Sequence, residues 1–318
     1  MRIKSLYVCV DDMKRAINFY TKFFEKSLNN TVINWYPGHM AKTKRQMIED
    51  LKIIDIVIEI LDARIPIASR NPDLAEYIKN KKQIVVLNKT DLADEHITSE
   101  WIDYFKSKNI RAIAIEANST TGVKKLLNTI NTINSEVQKK YKQKGRTGYV
   151  TKAMIFGIPN VGKSTVINSL SGKKTAKVEN RPGVTRQKQW IKISENIQLM
   201  DTPGMLWPKF ENEDIAMHLA FTNSIGQNAI DVEEIAFQLL KFLIHNHKDN
   251  IEERYGIEIS EDEELIEDIM YIVEIRDKIA RKKGCIVSGG NIDETKISNL
   301  ILNDFQTGKL GKISIERP

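Results

Sequence analysis

The chain has 318 residues, 41% hydrophobic and 28% charged, a balance that suits a soluble globular protein with room for two cores. No apolar run nears the roughly 18 residues of a membrane span, and no signal-peptide apolar region opens the chain. Cys9 and Cys285 make neither a metal spacing nor a disulfide framework, so a reducing, cytoplasmic setting is expected; the net charge of +6 allows an anionic partner such as RNA without requiring one.

Residues 1–32 read as a small βα unit: a β-rich "IKSLYVCV", then an Asp-capped helix with Ile17, Tyr20, Phe24 and Leu28 at helical spacing. A "YPGH" turn and a basic amphipathic helix with Met40, Met47, Ile48 and Leu51 on one side follow. Apolar runs then alternate with helical patterns: "IVIEILDA", "QIVVLNKTD", "RAIAIEA", and a helix with Val123, Leu126, Leu127, Ile130, Ile133 and Val137. The charged stretch 139–148 reads as a connector. Beyond it lie the strand "KAMIFGI", a glycine-rich loop with its helix, the strands "QWIKI" and "IQLMD", and the turn "TPGM". This alternation predicts an α/β unit, a mostly parallel sheet with helices on both faces, over residues 33–211. From 212 to 318 the β signal is gone, and a mostly α-helical second domain is expected.

Three motifs carry the chemistry. Gly157-x4-Gly162-Lys163-Ser164 lies between a strand and a helix, as a phosphate-binding loop does. Its glycines let backbone N–H groups face phosphate oxygens, Lys163 neutralises β- and γ-phosphates, the Ser164 hydroxyl can ligate Mg²⁺, and the helix N-terminus faces the anion. Asn160, Val161 and Thr165 complete the contact. "DTPG" follows a second apolar strand; there Asp201 would hold Mg²⁺ through a water and the Gly204 N–H would sense the γ-phosphate. "NKTD" at 88–91 supplies base identity: the Asp91 carboxylate can accept from guanine N1–H and the 2-amino group, and adenine would leave it unpaired. Asn88 can tie neighbouring loops, the Lys89 stem can lie along the ring, and Thr90 completes the turn. Taken alone, Thr90 and Asp91 serve equally well as a helix cap. The "EAN" stretch, with Glu116 and Ala117, is the candidate partner for the guanine oxygen, although it departs from the usual Ser-Ala-Lys pattern.

The guanine reader precedes the phosphate loop, the reverse of the common order. A parallel sheet positions its loops by strand adjacency, so joining old termini through 139–148 and cutting after DTPG preserves every loop. It also places the helical domain directly after the segment that responds to the γ-phosphate. The order NKTD, GIPNVGKS, "RPGVT", DTPG, with "NWYPGHMAKTKRQM", "DIVIEILDARIPIASRNP", "DTPGMLWPKF" and "KKGCIVSGG", resembles the circularly permuted GTPases that act in ribosome assembly, over about residues 33–318. The resemblance implies a monomeric, cytoplasmic GTP-hydrolysing factor that binds the maturing large ribosomal subunit, its rRNA and ribosomal proteins, late in assembly. It offers the basic stripe Arg276, Lys278, Arg281, Lys282 and Lys283 to rRNA, and Thr185 to Mg²⁺.

Met205 stands where many GTPases place a water-orienting glutamine. The resemblance offers two substitutes and leaves both open: His39 as a catalytic residue beside Lys163, or Asn160 holding K⁺ against the phosphates. A GTP-binding scaffold with little hydrolysis is the alternative reading. Residues 1–32 resemble the start of a glyoxalase/dioxygenase-type domain. One strand and one helix cannot build that fold, and no histidine precedes His39, so a loosely attached remnant without a metal site is expected there.

Overall fold

The structure is a computed structural model that describes residues 38–172, 189–202, 212–225 and 231–318, with the side chains of 38–44, 73 and 75 excluded. The glyoxalase-like segment, Thr185, Gly204 and Met205 lie outside the described residues.

Six strands form one sheet: β1 (Ile56–Asp62), β2 (Lys82–Asn88), β3 (Arg111–Ala114), β4 (Thr151–Phe156), β5 (Gln189–Ser194) and β6 (Ile197–Asp201). Their order is β3-β2-β1-β4-β6-β5, parallel throughout except for the antiparallel β5–β6 pair. The expected sheet is therefore present. β1 is buried along its whole length, which is why it reads as a continuous apolar run rather than an alternation. Its side chains still divide by the period of two. Ile56, Ile58 and Ile60 face α4 (Thr120–Gln143) and α5 (Lys163–Ser171), packing with Leu126, Ile130 and Ile167. On the opposite face Val57 meets Met47 and Leu51 of α1 (Gly38–Leu51) and Leu74 of α2 (Pro72–Tyr77). Leu61 meets Trp101 and Phe105 of α3 (Glu95–Ser107). Each such side chain contributes about 1.5–3 kcal/mol on burial. Glu59, also buried on β1, is held by Arg70 Nε at 3.2 Å; burial pushes its carboxyl up and Arg70 opposes the shift.

The join differs from a simple connector. Residues 139–143 belong to the end of the 24-residue helix α4, which carries the chain from the sheet edge at β3 back to the centre at β4. Tyr141 is the reason the helix continues. Its ring stacks on Tyr149 with centroids 3.6 Å apart, and both hydroxyls donate to Asp55, at 3.1 and 2.9 Å. Asp55 also accepts from the Lys152 N–H at the start of β4, so one carboxylate pins both sides of the join.

Beyond the sheet run α6 (Glu213–Phe221), α7 (Val232–Asn246), α8 (Lys248–Tyr255), α9 (Glu263–Ile266), α10 (Ile269–Lys282) and α11 (Glu294–Gln306). Leu240 and Leu243 of α7, Ile272 and Ile279 of α10 and Ile301 of α11 build a second apolar core. The segment 313–316 then returns to the sheet unit. Ile313 N–H donates to Leu92 O, and Ile315 and Glu316 N–H both donate to Arg64 O. The Glu316 carboxylate accepts from Ile67 N–H and from Ala68 N–H, and faces His218 Nδ1 of α6 at 2.9 Å.

Candidate nucleotide site

All five parallel strands aim their carboxyl ends at one edge of the sheet, and the motif loops leave from there. The phosphate loop follows β4, residues 88–91 end β2, residues 116–118 follow β3, and Thr202 follows β6. Chain order departs in opposite directions from the central pair β1 and β4, which creates a switch point of the kind where open α/β sheets form ligand crevices.

Asn88 joins two of these loops. Its Nδ2 donates to Val161 O at 2.8 Å and its Oδ1 accepts from Ala117 N–H at 3.0 Å, so one buried amide locks the phosphate loop and the 116–118 loop to β2. Ser169 of α5 adds a hydroxyl bond to Ala117 O at 2.9 Å. Gly162 caps α5 at φ +91°, a left-handed conformation, and a Cβ there would collide with the Asn88 side-chain nitrogen. Gly162→Ala is accordingly expected to cost about 1–3 kcal/mol of stability and to weaken GTP binding at least ~10-fold through the displaced Asn88. Thermal melts and nucleotide titrations check this, and parent-like values in both would show that the loop accommodates the methyl group.

Lys163 opens α5 almost fully buried, with Nζ 2.6 Å from Oδ1 of the equally buried Asp201. Burial pushes the ammonium down from its ordinary value, while the Asp201 charge and hydrogen bond oppose the shift. Thr202 clamps the end of β6 to β4 by donating to Ile155 O at 2.7 Å, a role its sequence context does not announce. Ser164 and Thr165 are half-buried on the first turn of α5.

Residues 88–91 do not cap the following helix. Asp94 caps α3 by accepting from Ile97 N–H at 2.9 Å, and Asp91 stands exposed three residues earlier. Lys89 adopts φ +63° and points its Nζ to Asp62 Oδ2 at 3.0 Å. Asp62 and its bidentate partner Arg64, both fully buried, were invisible as a functional pair in the sequence, where "LDAR" reads as the end of a strand. Thr90 and Glu116 are half-buried beside these loops, and Thr90 N–H reaches Ile115 O at 3.4 Å.

Asn160 sits at φ +61° and donates from Nδ2 to Asn223 O at 2.6 Å, linking the phosphate loop to the end of α6. His39 falls on the first turn of α1 rather than in a turn ahead of it, because α1 begins at Gly38. The basic stripe is narrower than expected. Arg276 is folded inward onto Asp277 and Glu294, and Lys278 pairs with Glu274; Arg281, Lys282 and Lys283 are exposed, the two lysines donating to the Gly256 and Arg254 carbonyls at the end of α8.

Sheet order and loops together define a circularly permuted GTPase. Residues 152–275 match the family described as 50S ribosome-binding GTPase, and residues 56–211 match the RsgA GTPase family. The chain is 44% identical to the ribosome biogenesis GTPase A of Bacillus cereus over 288 residues, covering 90% of this chain and 94% of that one. It is 32% identical to the protein of the same name from Thermotoga maritima, covering 90% and 95%. A structure of GNP-bound YlqF from T. maritima superposes with a TM-score of 0.60 at 28% identity, covering 87% of this chain and 98% of the other. The chain belongs to the ribosome biogenesis GTPase A family, and this makes it a GTPase of ribosome biogenesis. No helix among the described residues is long and apolar enough to cross a membrane.

Proposed function

We propose that the protein binds GTP with Mg²⁺ at this sheet edge and hydrolyses it on the maturing large ribosomal subunit, late in assembly, as a cytoplasmic monomer. One observation carries the site: Asn88 binds both the phosphate loop and the 116–118 loop, so base and phosphate recognition form one rigid frame. Lys163 neutralises phosphate charge, Asp91 reads the guanine edge, and the 116–118 loop, fixed by the bond from Ala117 N–H to Asn88, flanks the guanine oxygen. The Asp201 carboxylate and the Ser164 hydroxyl are hard oxygen donors, which suits Mg²⁺, with Thr185 as the third contributor. The metal supplies charge neutralisation at the phosphates. The description of the matched family as 50S ribosome-binding supports the large subunit as partner, with Arg281, Lys282 and Lys283 meeting rRNA phosphate.

We assign residues 33–211 to the GTPase domain and 212–318 to the ribosome-binding domain; the inter-loop bond from Asn160 to Asn223 and the Glu316 contacts with Ile67 and His218 give nucleotide state a route between them. GTP turnover with and without purified large subunits tests the reading. Slow turnover alone and strong stimulation by subunits is expected; equally slow turnover in both points instead to a GTP-binding scaffold.

His39→Ala separates the two hydrolysis routes. Its GTP affinity is expected to stay near the parent value while stimulated turnover falls on the order of 100-fold, because water positioning acts in the transition state. Equal stimulated rates for parent and variant remove His39 and leave Asn160 with K⁺, held through the side-chain amide oxygen, since Nδ2 donates to Asn223 O. Exchange of potassium for sodium then lowers turnover.

A further inference from the structure

The tether on Lys89 lies outside the nucleotide motifs. Lys89 sits inside the guanine-reading tetrapeptide, and its ammonium is engaged by a carboxylate of the neighbouring strand. It is held at 3.0 Å by Oδ2 of Asp62, a side chain with no solvent exposure. Asp62 is the last residue of β1, paired in parallel register with Asn88 on β2, so the strand pairing alone brings the carboxylate beside the guanine loop.

The carboxylate is in turn immobilised from its other side. Oδ1 accepts from Arg64 N–H at 3.1 Å and Arg64 Nε at 3.0 Å, and Oδ2 accepts from Arg64 Nη2 at 2.8 Å. Burial by itself would raise the Asp62 carboxyl, but Arg64 and Lys89 override it and hold the group well below the usual carboxylate range. Arg64 is 1% exposed and carries the connection onward. Its guanidinium lies 5.1 Å from the Phe305 ring centroid on α11, and its carbonyl accepts from Ile315 and Glu316. The buried anion therefore takes two cations. One is locked into the helical unit, and the other, with 22% of its side chain exposed, reaches into the guanine loop.

We propose that Asp62 is a positioning residue for guanine recognition: by fixing the Lys89 ammonium it holds the lysine stem along the plane of the base, and Arg64, packed against the C-terminal helical unit, holds Asp62 in place. This rests on the reading of residues 88–91 as the guanine site. Lys89 has four rotatable side-chain bonds and a left-handed backbone, so without the tether its stem is free to leave the base plane. Asp62 touches neither base nor phosphate; it acts through Lys89. Its loss should raise KM for GTP without changing kcat at saturation, since stem packing is made equally in ground and transition states.

The test measures GDP affinity and steady-state GTP turnover for Asp62→Asn, Lys89→Met, Lys89→Arg and the double variant Asp62→Asn/Lys89→Met. Asp62→Asn is expected to weaken GDP binding about 10-fold and to raise KM alike, with kcat within about twofold. Lys89→Met keeps an apolar stem and loses the tether, and should show a similar loss. Lys89→Arg still reaches Asp62 and should recover most of the affinity. In the double variant the two losses should not multiply. Multiplying losses, or parent-like affinity in Lys89→Met, would overturn the proposal. If Asp62→Asn fails to fold, with Arg64 left buried and unpaired, the Met and Arg replacements at Lys89 decide alone. Asp91→Asn in parallel guards the underlying reading. If its base preference does not change, the guanine assignment itself is wrong; if it changes while Lys89→Met is silent, only the tether is.

Discussion

Lys163→Ala should abolish useful catalysis and also destabilise the protein, and the two effects should separate. Lys163 and Asp201 are both nearly inaccessible, 2.6 Å apart, at the ends of α5 and β6. Removing one member of such a pair strands the other. An unpaired buried carboxylate costs about 3–5 kcal/mol of stability, a loss visible as a lowered melting temperature without nucleotide. The catalytic loss has a different origin. Without the ammonium, charge on the β- and γ-phosphates is unbalanced as the bond to the leaving group breaks, and turnover should fall on the order of 100- to 1,000-fold. Adding Asp201→Asn removes the stranded charge. The double variant should melt near the parent and still fail to turn over. Recovery of turnover with stability would mean that Lys163 serves the fold and not the reaction.

The second large effect falls on an exposed side chain with no structural duty. Asp94 caps α3, so Asp91→Asn should leave the melting temperature unchanged. Its nucleotide preference should invert. The carboxylate accepts from guanine N1–H and the 2-amino group; an amide keeps one acceptor and gains a donor that suits the 2-carbonyl of xanthine. Sites that lose such a match discriminate by roughly 10⁴, so a GTP-over-XTP preference should become the reverse. Competition binding with GDP and XDP reads this out. An unaltered preference in a protein with parent-like melting would show that residues 88–91 do not read the base.

The two variants draw on features that differ in how plainly the sequence shows them. Lys163, Ser164, Asp201 and residues 88–91 are legible because phosphate and guanine chemistry require fixed residue types at short, fixed spacing. The parallel sheet is legible because "IVIEILD" and "QIVVL" are apolar on both faces. Local capping resolved what sequence left open, since Thr90 and Asp91 serve as well as a cap until the structure places Asp94 at the helix start. Long-range partners were not legible. Arg64 becomes a buried structural cation only because Phe305 and the 313–316 segment cover it, with 241 residues separating Arg64 from Phe305. Arg276 looks like part of a basic stripe until Glu294, from the next helix, neutralises it. Tyr141 extends α4 through a connector-like stretch because Tyr149 and Asp55 wait across the join.

The sheet order also sets the timetable of biosynthesis. Strands β1, β2 and β3 pair as one block and β4, β6 and β5 as another, and a single seam, β1 against β4, unites them. Asn88 and the carbonyl it must find on Val161 lie 73 residues apart, roughly 4–15 s of translation. Throughout that interval the base-reading block exists without a phosphate loop. The flank of β1 that β4 will cover, from Ile56 to Glu59, is then an unpaired apolar edge, the kind of surface on which nascent chains aggregate. Permutation thus leaves a strand that ends in the centre of the sheet, β1, as the open edge of the base-reading block until β4 is made, and β6 and β5 join only after that.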